Sequence, residues 1–212
     1  MGEQFLRHLL IIFLSIPPSI IISVPIGFFI SNRPRAARVV LYIASILMTI
    51  PSLALFGLMV VLLAPVKLGI GITPAILAIM IYSLLPIIRN TYTALNQVNP
   101  RMIEAAKGIG MTQIQILLKI KLPLSIPVIM AGVRNAIVLG ISVATFASLV
   151  GAGGLGYFIF SGISRTNFYM ILTGTILVSF LGIGMNYLLM KTEDWLTPRG
   201  LKITSITEGR KK

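Results

Sequence analysis

Six stretches of this sequence contain no Asp, Glu, Lys or Arg: 8–32, 39–66, 68–88, 122–133, 135–164 and 166–190. About 20 apolar residues in helical form cross the hydrocarbon core of a bilayer. A charge at the centre of such a helix costs roughly 2.5–3.5 kcal/mol on insertion scales. Runs of this length and composition therefore predict an all-α integral membrane protein, with five transmembrane helices near 9–30, 44–64, 72–89, 127–148 and 168–190. Composition agrees: 56% of residues are hydrophobic and 11% charged, against about 25% charged in soluble domains. The first run is too long for the apolar part of a signal peptide, and SNRPR (31–35) is not a small-residue cleavage site, so it is read as a retained span. Pro17, Pro18, Pro25, Pro51, Pro74 and Pro86 fall inside these spans. Each removes a backbone donor and kinks a helix, which membrane bundles tolerate where a neighbouring helix satisfies the freed carbonyl.

The formal charge is +13, from 18 Lys and Arg against 5 Asp and Glu. The basic residues lie in short clusters between apolar runs, which makes them topology signals rather than a nucleic-acid footprint. Arg33, Arg35 and Arg38 lie in the first such loop. Arg89, Arg101, Lys107, Lys119 and Lys121 lie in the long loop after the third span, and Lys191, Arg199, Lys202, Arg210, Lys211 and Lys212 in the tail. Five spans put all three segments on one side and leave Arg7, Lys67 and Arg165 on the other. The positive-inside rule then places the N-terminus outside and a basic tail, 191–212, in the cytoplasm near anionic lipid. Arg134 sits about seven residues into the fourth span, roughly 10 Å of rise, and either snorkels to the cytoplasmic surface or pairs with a partner. There is no Cys, so disulfides, thiolate metal sites and cysteine nucleophiles are excluded. The single histidine, His8, has no partner at metal-ligand spacing and is read as a boundary residue.

Gly151, Gly153 and Gly156 satisfy G-x-G-x-x-G. A dinucleotide site also needs a preceding strand, a following helix and an acid about 20 residues on. Here the motif follows a membrane span, and no Asp or Glu occurs between Glu104 and Glu193. The glycines are read instead as a tight turn or a close approach of helices.

The long loop, 90–123, predicts two short helices with a glycine hinge. Asn99 is the N-cap of the first and Pro100 its first helical residue; the helix runs to about Ile109 and stops at Gly110. Thr112 and Gln115 match the capping box of the second, and Met111 with Ile116 the hydrophobic staple. The second helix is expected to end before Pro123. Glu104 is the only acid in the middle of the chain. Two readings stay open on the residues alone: local pairing with Arg101 and Lys107, each three positions away, or a charged contact with a soluble partner.

These residues carry a family resemblance. Glu104-Ala105-Ala106, three residues, Gly110, nine residues, Ile120, one residue, Leu122-Pro123 resembles, at every position, the EAA signature of ABC importer permeases. TIPSLALFGL (49–58), PAILAIMIYSLLPIIRNTYTAL (74–95), LPLSIPVIMAGVRNA (122–136) and ATFASLVGAGGLG (144–156) look like the permeases of osmoprotectant importers for glycine betaine, carnitine, choline and similar quaternary amines. The resemblance implies the type I importer fold, similar to methionine permeases, in the cytoplasmic (inner) membrane of a bacterium. It also implies ABC ATPase subunits, a second permease (identical or paralogous) and an extracytoplasmic solute-binding protein as partners. Glu104, Ala105, Ala106, Gly110, Ile120, Leu122 and Pro123 would form the ATPase-coupling element. Glu104 would pair with a basic residue of the ATPase, the two alanines would allow close approach, and Gly110 would make the bend. Pathway or gate candidates on the matching stretches are Thr49, Pro51, Ser52, Tyr82, Thr145, Phe146, Gly151, Gly153, Gly154 and Gly156.

The chain has no G-x-x-x-x-G-K-[ST] and no carboxylate cluster for Mg²⁺, so ATP and Mg²⁺ belong to a partner subunit and this chain is a non-catalytic transport subunit. The spans contain no acid and offer no strong cation site. In this family the aromatic cage that holds a quaternary ammonium sits in the binding protein, and Tyr42, Tyr82, Tyr92, Tyr157, Phe146 and Phe158 face either a path or lipid. Two alternatives remain: the same importer class with another small solute (an amino acid or a betaine-like thiol derivative), or an ATP-independent carrier or channel. The second usually places ionisable residues in its spans, and here only Arg134 lies in one.

Overall fold

A computed structural model describes residues 1–196. Its helices are α1 (Gly2–Ser31), α2 (Pro34–Thr49), α3 (Ser52–Leu63), α4 (Ile72–Asn96), α5 (Pro100–Gly108), α6 (Gln113–Ile116), α7 (Leu122–Val143), α8 (Gly156–Ser164) and α9 (Phe168–Leu196). Among the described residues there is no strand. Four helical stretches are long and apolar enough to cross a membrane: Gly2–Ser31, Ile72–Asn96, Gln113–Val150 and Phe168–Leu196. A fifth crossing exists if the bent pair Pro34–Thr49 and Ser52–Val66 counts as one.

That pair lies on the span expected over 44–64, and the kink expected at Pro51 is a full break. The chain breaks at Ile50–Pro51 and turns by 97°. Pro51 has no N–H to continue the helix, and the Tyr82 hydroxyl on α4 donates to the Ile50 carbonyl that the break releases. A neighbouring helix thus supplies the donor that lipid cannot.

Helix α4 is the central post and packs against α1, α2, α3 and α7. The core joins Ile11 and Ile16 of α1, Phe56 of α3, Ile79 of α4, Val133 and Ile141 of α7, and Leu155. α1 continues through Pro17, Pro18 and Pro25, and it buries a stripe at helical spacing that includes His8, Ile12, Ser15, Ser19 and Ser23. Small residues on such a stripe let helix backbones approach closely without water to drive association. α9 buries only Gly174 and Leu181, leaving most of its apolar surface outward.

A second departure concerns Pro123. The helix beginning at Gln113 does not stop before it. α6 passes through a π turn, Leu117–Lys121, into α7, and the helical stretch runs unbroken from Gln113 to Val150. In the π turn the Leu122 N–H bonds to the Leu117 carbonyl, five residues back. Widening the turn just before the proline absorbs its missing donor and its ring, which a regular α turn does not.

Candidate functional site

The segment between α4 and α7 forms an elbow. The Asn99 side chain accepts from the Arg101 N–H at the start of α5, and Gly110 ends the turn with φ +81°. The Met111 N–H reaches back to the Ala106 carbonyl across that glycine, the closure that needs a residue in the left-handed region. The Thr112–Gln115 capping box is present in both directions. The elbow is thus fixed by local bonds at each bend.

Its surface is unusual. Met102, Ile109, Ile114 and Leu118 are exposed, Ile109 at 79%, while Ala106 is buried. Glu104 and Ala105 are exposed, and Glu104 makes no ion pair with Arg101 or Lys107. The Glu104 carboxylate is thus exposed and without a salt bridge among the described residues, with Arg101 and Lys107 three positions to either side, on an elbow that also exposes Met102, Ile109, Ile114 and Leu118. Ile120, Leu122 and Pro123 are half-buried on the helical stretch that leads away.

The other candidate residues form two groups. Thr49, Pro51, Ser52 and Tyr82 meet at the α2–α3 break, where the Thr49 hydroxyl donates to the Ile46 carbonyl. Thr145 and Phe146 lie on the 3-10 turn Ala144–Val150, followed by Gly151, Gly153, Gly154 and Gly156. The groups are linked through Phe56, one turn past Ser52, whose ring lies 6.3 Å from that of Phe146. Gly151, Gly153 and Gly154 take positive φ. At Gly156 a Cβ would lie 1.8 Å from the Thr145 carbonyl oxygen, so helix α8 starts in direct backbone contact with the turn before it.

Three residues that sequence reasoning passed over or left unpaired organise these parts. His8 is not at a boundary; it is fully buried. Its Nδ1 accepts from the Leu155 N–H at 3.3 Å and its Nε2 lies 3.2 Å from the Ile141 carbonyl. Accepting at Nδ1 fixes the proton on Nε2, which donates to Ile141. The Gln4 side chain accepts from the Gly154 N–H at 2.7 Å. The first turns of α1 thus hold the glycine loop. His8→Leu removes both bonds and leaves buried polar groups behind, a loss of about 1–3 kcal/mol, which thermal unfolding of the purified complex will show as a lowered transition.

Arg134 pairs within its own chain: Nη1 lies 3.2 Å from Glu193 Oε2, with the two side chains 28% and 22% exposed. The pair ties α7 to the end of α9. A double-mutant cycle with Arg134→Gln and Glu193→Gln is expected to give a coupling of about 0.5–3 kcal/mol. Within the basic tail expected over 191–212, helix α9 continues to Leu196; residues 197–212 lie outside those described.

The order of helices sorts the loops to two ends. The start of α1 meets the glycine loop, and the Gly71 N–H bonds to the Val150 carbonyl at 2.8 Å, which puts residues 1–8, 64–71 and 144–156 together. At the other end Asn32 lines a hollow with Gln113, Ile116 and Lys121, so the turn after α1 meets the elbow.

An all-helical bundle of this kind, with an elbow between its crossing helices, has the fold of a type I ABC importer permease. Chains of the inward-facing MetNI methionine ABC transporter superpose with a TM-score of 0.83 at 23% identity, covering 93% of this chain and 96% of theirs. An amino acid ABC transporter solved with histidines superposes at 0.71 with 19% identity, covering 91% of this chain and 92% of its own. Residues 19–200 match the family described as binding-protein-dependent transport system inner membrane component, and the chain belongs to that family. Among its relatives, the osmoprotectant import permease protein OsmW of Salmonella typhimurium is 43% identical over 92% of this chain and 91% of its own length. The glycine betaine/carnitine/choline transport system permease protein OpuCB of Bacillus subtilis is 40% identical over 92% and 88%. The choline transport system permease protein OpuBB of the same organism is 38% identical over 92% and 88%.

Proposed function

We propose that this chain is the membrane-spanning subunit of an ATP-driven importer for quaternary ammonium osmoprotectants, the class that includes glycine betaine, carnitine and choline. The observation that carries the reading is the elbow: an exposed carboxylate on a segment that also exposes apolar side chains, on a chain whose relatives are named for osmoprotectant transport. Residues 99–123 dock on an ABC ATPase subunit, with Glu104 pairing to a basic residue, Ala105 and Ala106 at the contact, and Gly110 setting the bend. ATP and Mg²⁺ are held by that partner. A second permease, identical or paralogous, completes the pathway, since five crossings enclose little by themselves and a twofold interface supplies the other wall. An extracytoplasmic binding protein delivers the solute. Residues 1–190 form the permease domain in the inner membrane, with the N-terminus outside and the 191–212 tail inside.

The helical stretch Gln113–Val150 supports a mechanical link. Its 38 residues extend about 57 Å at 1.5 Å per residue. They join the elbow to the glycine loop at the opposite end. Closure of the ATPase pair displaces the elbow, and a packed helix responds as a rigid body rather than by continuous deformation. The π turn lies where the elbow meets this rod, a place where such turns are common at functional sites.

The test is uptake of labelled glycine betaine by the complete complex in proteoliposomes. The expected result is uptake that requires ATP and is inhibited by carnitine and choline. Uptake without ATP or without the ATPase subunit would make the chain a carrier. ATP-driven uptake of another solute, indifferent to all three, would keep the importer and replace the cargo.

A further inference from the structure

Helix α8 presents Tyr157, Phe160, Ser161 and Ser164 at i, i+3, i+4 and i+7, one face of a helix, and Arg165 follows as its C-cap. With Ser148 of the preceding 3-10 turn they line a hollow of about 380 Å³, within the range of about 300–1,000 Å³ for small-molecule sites. Its chemistry is divided. Phe160 is held by an aromatic column, its ring 5.6 Å from that of Phe146, which in turn packs on Phe56. Tyr157, one turn away, is half-exposed. At the end of the helix the Arg165 side chain makes no hydrogen bond or ion pair among the described residues, and no acid lines the hollow. The hydroxyls of Ser161 and Tyr157 are also without partners among the described residues, whereas those of Ser148 and Ser164 bond to helix carbonyls.

A guanidinium, two free hydroxyls and two aromatic rings in one hollow complement a particular kind of molecule. A quaternary ammonium has no N–H to donate and is held by aromatic faces. A carboxylate is matched by the planar fork of arginine. A solute bearing both groups satisfies both walls. A quaternary ammonium alcohol satisfies only the aromatic wall and brings a second positive charge toward Arg165. We propose that this hollow is a solute site at the external mouth of the pathway, selective for quaternary ammonium compounds that also carry a carboxylate. The site rests on the transport reading given above. It accounts for a basic residue on the side of the membrane where the chain has only three, Arg7, Lys67 and Arg165.

The experiment compares uptake of glycine betaine and choline by the reconstituted complex, with binding protein saturated by each solute in turn. The ratio of the two rates within one preparation does not depend on how much variant folds. Arg165→Gln is expected to lower the glycine betaine to choline ratio about tenfold, and Arg165→Lys, which keeps the charge but not the planar fork, to lower it by less. Tyr157→Leu is expected to slow both solutes with little change in ratio. An unchanged ratio in Arg165→Gln, or equal loss of both rates, overturns the site; occupancy by a lipid headgroup alone predicts the unchanged ratio. A wild-type complex that moves neither solute removes the osmoprotectant reading of the cargo, and this inference with it.

Discussion

Glu104→Lys is expected to leave the membrane bundle assembled and to abolish ATP-coupled uptake. The structural cost is small, because the side chain is exposed and makes no ion pair among the described residues. Surface substitutions of that kind usually stay within about 0.5 kcal/mol. The functional cost is large if the carboxylate meets a basic residue in a groove of the ATPase. Truncating one partner of a buried, hydrogen-bonded charge pair costs about 2–5 kcal/mol, and reversal adds repulsion. At 1.4 kcal/mol per tenfold, coupling falls by roughly 30-fold or more. The complex should keep its permease dimer on size-exclusion chromatography, with uptake near background. Normal uptake by this variant would show that the elbow carboxylate takes no part in coupling.

The second large effect is structural. Gly156→Ala places a methyl carbon 1.8 Å from the Thr145 carbonyl oxygen, 2.6 Å from its carbon and 2.7 Å from its Cα. All three are backbone atoms, so no rotamer change relieves the clash. Overpacking a core typically costs about 1–3 kcal/mol and occasionally more; here helix α8 must shift off the 3-10 turn, so the loss lies at or above the top of that range. The expected result is a sharply lowered melting transition and little complex recovered. Gly184→Ala is the control. A Cβ there meets nothing within 4 Å, and stability should change by no more than about 0.5 kcal/mol. Equal behaviour of the two variants would mean that α8 does not sit on Thr145.

Particular residues show which parts of this fold the sequence makes readable. The elbow caps were legible because capping is local: Asn99 to Arg101 and Thr112 to Gln115 span two and three residues. The signature around Glu104 marked the segment, and the structure adds that the carboxylate is exposed and not bridged to Arg101 or Lys107. Pro51 announced a kink, whereas the 97° turn depends on Tyr82, far along the chain, reaching the Ile50 carbonyl. Pro123 was expected to stop a helix. The rule holds for a regular α turn, and the π turn at Leu117–Lys121 removes its premise. His8 looked like a boundary residue because nothing near it in sequence is polar at ligand spacing. Its partners, Ile141 and Leu155, are backbone groups more than a hundred residues away. Arg134 was visible as a charge inside the fourth span, and its pairing with Glu193 follows only once α7 and α9 are known to pack together.

In the proposed importer the elbow is the point where an ATPase grips the chain. The sequence has no Cys, so Lys107→Cys, on the exposed surface of α5, introduces a single thiol. In the assembled complex a short thiol-reactive crosslinker from this position should capture the ATPase subunit, and the crosslinked complex should lose uptake that returns when the link is cleaved. Crosslinks that never reach the ATPase, in complexes that still accumulate solute at the expense of ATP, would contradict that role of the elbow.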